Sequence, residues 1–331
     1  MRVPRILIPA VLICTSWIAS ASDLRQIGMV NLPGAPGFGA VAFANGMLLL
    51  THPGASAVDV FDPVRGRVAG QITGLQAPRA LAVDEKGGRV YIADHGSHSI
   101  AVVATGGWKV VDSIAVPGSP DNLLLSTDGK LYWADAAAGA VSLLDLRTKQ
   151  DIARSNVGGT PRDLALDPQR HLVFATLQDM HPIVALDPQL KIVSRFNLSA
   201  SQPTGLIFDP QYHELYTAVR FAVLAISADT GAEIDRIAAP AGVDSLWLDP
   251  ESRTLYAAGE GSLLVIQVKG RLAKVDEIAT AAVKGHTVAY YADRRMVLLP
   301  GGREGKSKLL ILRPMGPNAQ PGMEDTDARV R

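Results

Sequence analysis

Short apolar runs separated by turn residues fill most of the chain, and none shows the apolar spacing of an amphipathic helix. One unit displays the pattern clearly, with apolar runs at 80–84, 90–93 and 100–104 followed by an alternating run at 108–116. The turn Lys86-Gly87-Gly88 separates the first two runs. Runs of this length, bounded by glycine and polar residues, predict four short β-strands.

The same unit recurs along the chain with a nearly constant period. Five prolines mark its start at intervals of 42, 42, 41 and 42 residues: Pro36, Pro78, Pro120, Pro161 and Pro203. An apolar residue follows each proline five positions later, and Leu248 and Tyr290 continue that apolar series through two further units. Seven such units predict an all-β fold, a seven-bladed β-propeller with four antiparallel strands per blade. The repeated aromatic positions are expected to pack between blades.

The seventh unit lacks its fourth strand. Its three predicted strands lie at 287–291, 296–299 and 308–313, and Pro314 begins a polar segment. The pattern of the outer strand at 111–118 reappears near the N-terminus at 25–34. Because pairing of the two chain ends removes exposed sheet edges, we expect the N-terminal strand to close the ring by pairing into the last blade. The predicted propeller spans 22–314, and residues 315–331 are predicted to be disordered.

The first 21 residues have the pattern of a secretory signal peptide. Arg2 and Arg5 precede an apolar stretch at 6–18, and the small residues Ala19-Ser20-Ala21 follow it. A retained membrane anchor is the alternative, but the stretch contains Pro9 and is shorter than the roughly 20 residues that a membrane span needs. The sequence therefore predicts a periplasmic or secreted protein with no membrane segment after cleavage.

Composition narrows the classes of partner. The chain has 32 Lys and Arg against 32 Asp and Glu, and 5% of its residues are aromatic. With no basic stripe and few aromatic side chains, nucleic acid is not an expected partner. Cys14 is the only cysteine, so cleavage would leave no thiol and no cysteine metal ligand. We expect a monomer that binds a small molecule or a protein, and no cofactor is indicated.

Two phrases carry a family resemblance: Asp84-Glu85-Lys86-Gly87-Gly88-Arg89-Val90-Tyr91-Ile92-Ala93-Asp94 and Leu131-Tyr132-Trp133-Ala134-Asp135. They resemble the aspartate turn and strand end of the YVTN/YncE-type propeller repeat, a group within the lactonase-like and cytochrome cd1-like propeller superfamily. Asp94 and Asp135 stand where that family usually has Asn. Since the motif is mainly a structural repeat, the resemblance implies the fold, and function must be argued from the faces of the ring.

In a propeller, the loops entering the inner strands and the turns between second and third strands share one face. The first group supplies one residue per blade: Gly37, Arg79, Asp121, Arg162, Thr204, Asp244 and His286. The second group supplies further polar turn residues: His52, Asp94, His95, His98, Asp135, Asp179, His181, Arg220, Glu260, Arg303 and Glu304. From both groups we select candidate ligand-binding residues at the channel mouth: His52, Arg79, Asp94, His95, His98, Asp121, Arg162, Asp244 and His286.

Five of the seven histidines fall in these two groups. Histidines that share a channel mouth could bind a metal, hold an anion or act as acid and base. Any one of them is also consistent with a solvated loop residue. The pair His95 and His98 has too few companions to predict a metal site. Arg79 and Arg162 could instead hold the ring together by pairing with Asp121, Asp163 or Asp244.

Two functions from different classes remain open. The first, which we favour, is an exported binding or interaction protein that holds a small ligand or a partner protein at the channel mouth. The second is a lactonase-like hydrolase or a lyase, in which His52, His95 or His286 acts as base, with or without a metal, and an arginine stabilises the anion.

Overall fold

The computed structural model describes residues 23–280 and 283–315. The predicted signal peptide at 1–21 and all of the predicted C-terminal tail except Met315 lie outside these residues. Within the described ranges, no helix is long and apolar enough to cross a membrane. The helical segments there are short 3-10 turns at Pro53–Ala55, His95–Ser97 and Ala292–Arg294.

The strands form seven four-stranded antiparallel sheets, which confirms the predicted seven-bladed propeller. Blade 1 consists of β2 (Val41–Ala44), β3 (Met47–His52), β4 (Ala57–Asp62) and β5 (Arg67–Ile72). Blade 2 consists of β6 (Pro78–Asp84), β7 (Arg89–Asp94), β8 (Ser99–Ala104) and β9 (Lys109–Ala115). Blade 3 consists of β10 (Asn122–Leu125), β11 (Lys130–Asp135), β12 (Ala140–Asp145) and β13 (Gln150–Asn156). Blade 4 consists of β14 (Pro161–Asp167), β15 (Leu172–Leu177), β16 (Pro182–Leu186) and β17 (Ile192–Asn197).

The last three blades follow the same order of strands from the channel outward. Blade 5 consists of β18 (Leu206–Asp209), β19 (Glu214–Val219), β20 (Ala222–Ser227) and β21 (Glu233–Ala238). Blade 6 consists of β22 (Ser245–Asp249), β23 (Thr254–Gly259), β24 (Ser262–Val268) and β25 (Leu272–Ala279). Blade 7 consists of β26 (Ala289–Tyr291), β27 (Met296–Arg303), β28 (Lys306–Met315) and the N-terminal strand β1 (Asp23–Asn31).

Strand β1 closes the ring as predicted. It pairs antiparallel with β28, from Asp23 opposite Met315 to Asn31 opposite Lys308. The register shifts between Gln26 and Gly28, where a β-bulge interrupts the ladder. Strand β28 continues through Met315, one residue into the segment that the sequence predicts to be disordered. The two ends of the described chain therefore share one blade and leave no unpaired edge between them.

Apolar contacts between neighbouring blades form the core. All residues of the middle strands β4 and β19 are buried, whereas the outer strand β21 is mostly exposed or half-buried. The fully buried Trp133 of blade 3 packs with Tyr91 of blade 2, as the repeated aromatic positions predict. Because the core lies between blades, the entries of the inner strands are left facing the central channel.

The antiparallel order of each blade defines two faces. We call the face that carries the inner-strand entries and the turns between second and third strands the mouth face. The opposite face carries the remaining turns of each blade. There Asp167 and Asp209 accept hydrogen bonds from the backbone N–H groups of Gln169 (2.9 Å) and Gln211 (3.0 Å). These Asp-Pro turns are thus structural.

Candidate functional site

A cavity of about 600 Å³ lies where the inner strands begin. It is lined by the entry residue of every blade: Gly37, Arg79, Asp121, Arg162, Thr204, Asp244 and His286. The structure thus brings together all seven residues that the repeat places at the channel. We call this space the mouth cavity. Its volume lies in the range of small-molecule sites.

Asp121 connects blades 2 and 3 in the wall of the mouth cavity. Its Oδ1 lies 3.1 Å from Nδ1 of His95 and 3.4 Å from a terminal guanidinium nitrogen of Arg79. Its Oδ2 accepts a hydrogen bond from the backbone N–H of Ala136 at 3.0 Å. Both carboxylate oxygens are therefore occupied, and Arg79 adopts the pairing role that the sequence left open.

Asp163 makes a comparable connection among three blades. Its Oδ1 accepts hydrogen bonds from the Asn122 side-chain amide (2.8 Å) and from the backbone N–H of the next residue, Leu164 (3.0 Å). Its Oδ2 accepts one from the backbone N–H of Leu206 in blade 5 at 2.8 Å. Burial raises the pKa of the Asp163 carboxyl, and these donors oppose that shift only in part.

His52 does not face the mouth cavity, contrary to the prediction. The side chain is 0% exposed, and its Nδ1 lies 2.8 Å from Oδ2 of Asp59, which is equally buried. Its Nε2 donates to the carbonyl oxygen of Ala35 at 2.7 Å, and its ring stacks on Phe38 with 4.2 Å between centroids. The segment before β2 covers this histidine, which makes it a buried link in blade 1.

Asp94 is also buried and serves a turn. Its carboxylate accepts hydrogen bonds from the backbone N–H groups of Gln76 (3.0 Å) and Ala77 (2.7 Å) and from the Ser97 hydroxyl (2.6 Å). The aspartate at the strand end, which departs from the Asn of the family pattern, thus caps the loop that enters the same blade. Its exposure at the channel mouth, expected from sequence, is not found.

The remaining second-group residues lie outside the lining of the mouth cavity. His98 is exposed, and its Nδ1 lies 3.0 Å from the Ser119 hydroxyl. Asp135 is buried and accepts from Arg154 at 3.0 Å. The others form exposed turns on the mouth face: Asp179, His181, Arg220, Glu260, Arg303 and Glu304. They are surface residues around the cavity and not part of its wall.

Two charged residues in the cavity wall, Arg162 and Asp244, have no hydrogen-bond or ion-pair partner among the described residues. Arg162 is half-buried and Asp244 is exposed, and neither side chain makes a hydrogen bond or ion pair with a residue of the described chain. His286 uses one ring nitrogen, with Nδ1 2.7 Å from the carbonyl oxygen of Gly242. Arg162, Asp244 and Nε2 of His286 are therefore able to contact a ligand.

The histidines do not converge on a common point. Nδ1 of His52, of His95 and of His286 each contacts a different partner: Asp59, Asp121 and the Gly242 carbonyl. Among residues 23–280 and 283–315, no group of three or more His, Cys, Asp or Glu side chains is arranged to hold a metal ion.

Sequence reasoning did not identify two lining residues of blade 6. Ser245 and Trp247 line the mouth cavity together with Asp244. Trp247 also packs edge-on against Phe43, with ring centroids 5.7 Å apart, in line with its predicted core role. Strand alternation could not have singled them out, because the lining runs through four consecutive residues, 244–247.

Comparisons with known proteins agree on the fold. Residues 75–103 match the NHL repeat. The chain resembles a structure titled Kuenenia stuttgartiensis Hydrazine Synthase with a TM-score of 0.73 and 14% identity, over 85% of this chain and 96% of that one. It resembles a chain from the Crystal Structure of Mitotic Checkpoint Complex with a TM-score of 0.76 and 13% identity, over 95% and 96%. Both likenesses show a propeller fold.

One curated relative shows sequence similarity over part of the chain. Antigen Lp49 of Leptospira interrogans serogroup Icterohaemorrhagiae serovar copenhageni (strain Fiocruz L1-130) is 24% identical over 155 residues, which cover 40% of this chain. The match covers 34% of that relative, so the chain spans about a third of its length. Taken together, the fold, the repeat match and this relative identify a β-propeller repeat protein.

Proposed function

We propose that this chain is an exported interaction propeller that holds a small ligand, or a protruding segment of a partner protein, in the mouth cavity. The proposal rests on one observation above all. Arg162 and Asp244 line the cavity without a hydrogen bond or ion pair in the described chain, whereas Asp121 and Asp163 are each held by several donors. The charge of Arg162 acts on the neighbouring Asp163 carboxyl and lowers its pKa, but the two groups are not paired. Unsatisfied polar groups in a concave site are suited to binding.

The comparisons establish the fold and leave the class of activity open. One structural neighbour comes from a complex and another from an enzyme, by their titles, so the fold alone does not decide between binding and catalysis. The arrangement of the histidines favours binding. A base for a hydrolase or lyase needs a position beside the reacting atoms. His52 is buried away from the cavity and His95 is not among the residues that line it, which leaves His286 as the remaining candidate.

Export is proposed from the leader pattern of residues 1–21. Cell fractionation of the full-length protein in its own host, followed by N-terminal sequencing, tests this part separately. Export predicts a mature chain that begins near Ser22 outside the cytoplasm. An intact N-terminus in the cytoplasmic fraction would contradict it.

A cavity-filling variant tests the binding site directly. Ser245 lies in the cavity wall and its side chain makes no hydrogen bond in the described chain, so Ser245→Trp should occupy the cavity at little structural cost. Gln150→Trp is the matched control, because Gln150 is exposed and begins a strand at the opposite face. Thermal-shift screening of amino acids, short peptides, dicarboxylates and phosphates should give compounds that stabilise the wild type and Gln150→Trp but not Ser245→Trp. Compounds that stabilise all three equally would place binding elsewhere.

A further inference from the structure

The charges around the mouth cavity divide into satisfied and unsatisfied groups. Asp121 is held by Arg79, His95 and a backbone N–H, and Asp163 accepts from three donors. Arg162 and Asp244 have no such contacts in the described part of the chain. Arg162 on blade 4 and Asp244 on blade 6 are thus the charged groups of the lining that make neither a hydrogen bond nor an ion pair with the described residues.

The positive group suits a carboxylate. A guanidinium presents five N–H donors in a planar fork and stays charged at any physiological pH, and it binds carboxylates through two parallel hydrogen bonds. Arg162 is half-buried in the wall, and its neighbours in the chain are the buried Pro161 and the hydrogen-bonded Asp163. Partial burial strengthens such a contact, because less water competes for the donors.

The negative group suits an ammonium and is reinforced by His286. The carbonyl oxygen of Gly242 can only accept, so Nδ1 of His286 must donate across the 2.7 Å contact. A neutral His286 then carries its lone pair on Nε2, which accepts a hydrogen bond. Gly242 has φ +68°, and a Cβ there would lie 3.3 Å from the imidazole of His286, so glycine allows this approach. Asp244 follows two residues later in the same loop.

The two groups remain separate because blade 5 lies between them. Arg162 and Asp244 form no ion pair in the described structure. Thr204 of blade 5 donates its hydroxyl to the carbonyl oxygen of Val243 at 2.7 Å and so offers no competing donor. The lining also includes residues whose side chains pack into the clusters between blades: Leu81, Leu123, Leu164, Leu246 and Trp247. A molecule that satisfies both groups must carry opposite charges at two separated positions.

Resting on the proposed binding function, we infer that the mouth cavity selects zwitterionic ligands, with a carboxylate on Arg162 and an ammonium on Asp244 and His286. Amino acids with separated charges, and peptides or side chains of equivalent chemistry, have this form. The inference names a ligand class that neither group alone would specify.

A series of ω-amino acids tests the inference, because chain length sets the distance between the charges. Glycine, 4-aminobutyrate, 6-aminohexanoate and 8-aminooctanoate would be titrated calorimetrically into the full chain, with hexanoate and hexylamine as single-charge analogues. One length should bind at least about tenfold more tightly than either analogue, since each charged hydrogen bond adds to the other. Equal affinity for the zwitterion and a single-charge analogue, or no binding by any member at millimolar concentration, would overturn the inference.

Charge-removing variants assign each end. Arg162→Gln should abolish the preference for 6-aminohexanoate over hexylamine, and Asp244→Asn should abolish the preference over hexanoate. His286→Phe should weaken only ligands that carry an ammonium. Arg147→Gln, at an exposed turn on the opposite face, should change neither preference. Parallel losses for all ligands in Arg162→Gln and Asp244→Asn would contradict separate charge recognition. If Ser245→Trp still abolishes binding while charge has no effect, the binding function stands and only the ligand class fails.

Discussion

Arg162 and Asp163 are adjacent in the chain and both line the mouth cavity, yet they differ in every contact. Asp163 accepts hydrogen bonds from three blades, whereas Arg162 makes none with the described residues. The same division runs around the channel. His52, Asp94 and Asp121 resemble Asp163, and Asp244 resembles Arg162. Residue type at a repeat position therefore does not reveal whether a polar side chain builds the ring or meets a ligand.

The largest expected effect comes from removing a bonded histidine. His52→Ala removes the 2.8 Å contact to one Asp59 oxygen, while Gln71 still donates to the other. An unsatisfied buried acceptor costs about 1 to 3 kcal/mol of unfolding free energy, and the lost packing of the buried ring on Phe38 adds to that cost. Urea denaturation followed by tryptophan fluorescence measures it. His286→Ala is the control, expected to cost less than about 1 kcal/mol. Similar losses in the two variants would show that the buried His52 stabilises the ring no more than the half-buried His286 does.

The adjacent pair gives a sharper comparison with a smaller effect. Asp163→Ala leaves the buried backbone N–H of Leu206 unsatisfied, at a cost of about 1 to 3 kcal/mol. Arg162→Gln, one residue away, should change the unfolding free energy by less than about 0.5 kcal/mol. The same urea series measures both. A destabilised Arg162→Gln would show that Arg162 supports the ring.

The repeat made most of the fold predictable, because each unit forms one blade and equivalent sequence positions occupy equivalent positions in every blade. The prolines from Pro36 to Pro203 located the inner-strand entries, and the missing strand of the last unit located β1 beside β28. The ring of entry residues around the mouth cavity followed from the same spacing. Hydrogen bonds and packing contacts between residues far apart in sequence could not be predicted from that spacing.

His52 illustrates what the spacing could not supply. Its turn position predicted exposure, but Ala35, 17 residues earlier, and Phe38 cover it from outside the strand pattern. Asp163 likewise bonds to Leu206, 43 residues later. These contacts depend on how loops fold over one another, which hydrophobic periodicity does not encode. Which polar side chains are hydrogen-bonded and which are not therefore depends on long-range contacts that only the three-dimensional structure shows.

The smallest expected effect concerns the rim of the mouth face. Phe221 is 56% exposed and has φ +63°, at the turn position where blades 6 and 7 have Gly261 and Gly305. Phe221→Gly should raise the unfolding free energy by about 0.5 kcal/mol, because relief of left-handed strain exceeds the entropy cost of glycine. Phe221→Ala, which keeps the strain, should show no such gain. A destabilised Phe221→Gly would mean that the contact between Phe221 and the Arg220 guanidinium, at 5.3 Å, outweighs the strain.

Urea unfolding of Arg162→Gln, with and without the tightest-binding ω-amino acid, tests the division between bonded and unsatisfied residues most directly. Unfolding without ligand should match the wild type to within about 0.5 kcal/mol, and the stabilisation by ligand should be lost. The opposite result, a destabilised variant that the ligand still stabilises as it does the wild type, would show that Arg162 belongs to the ring and not to a binding site.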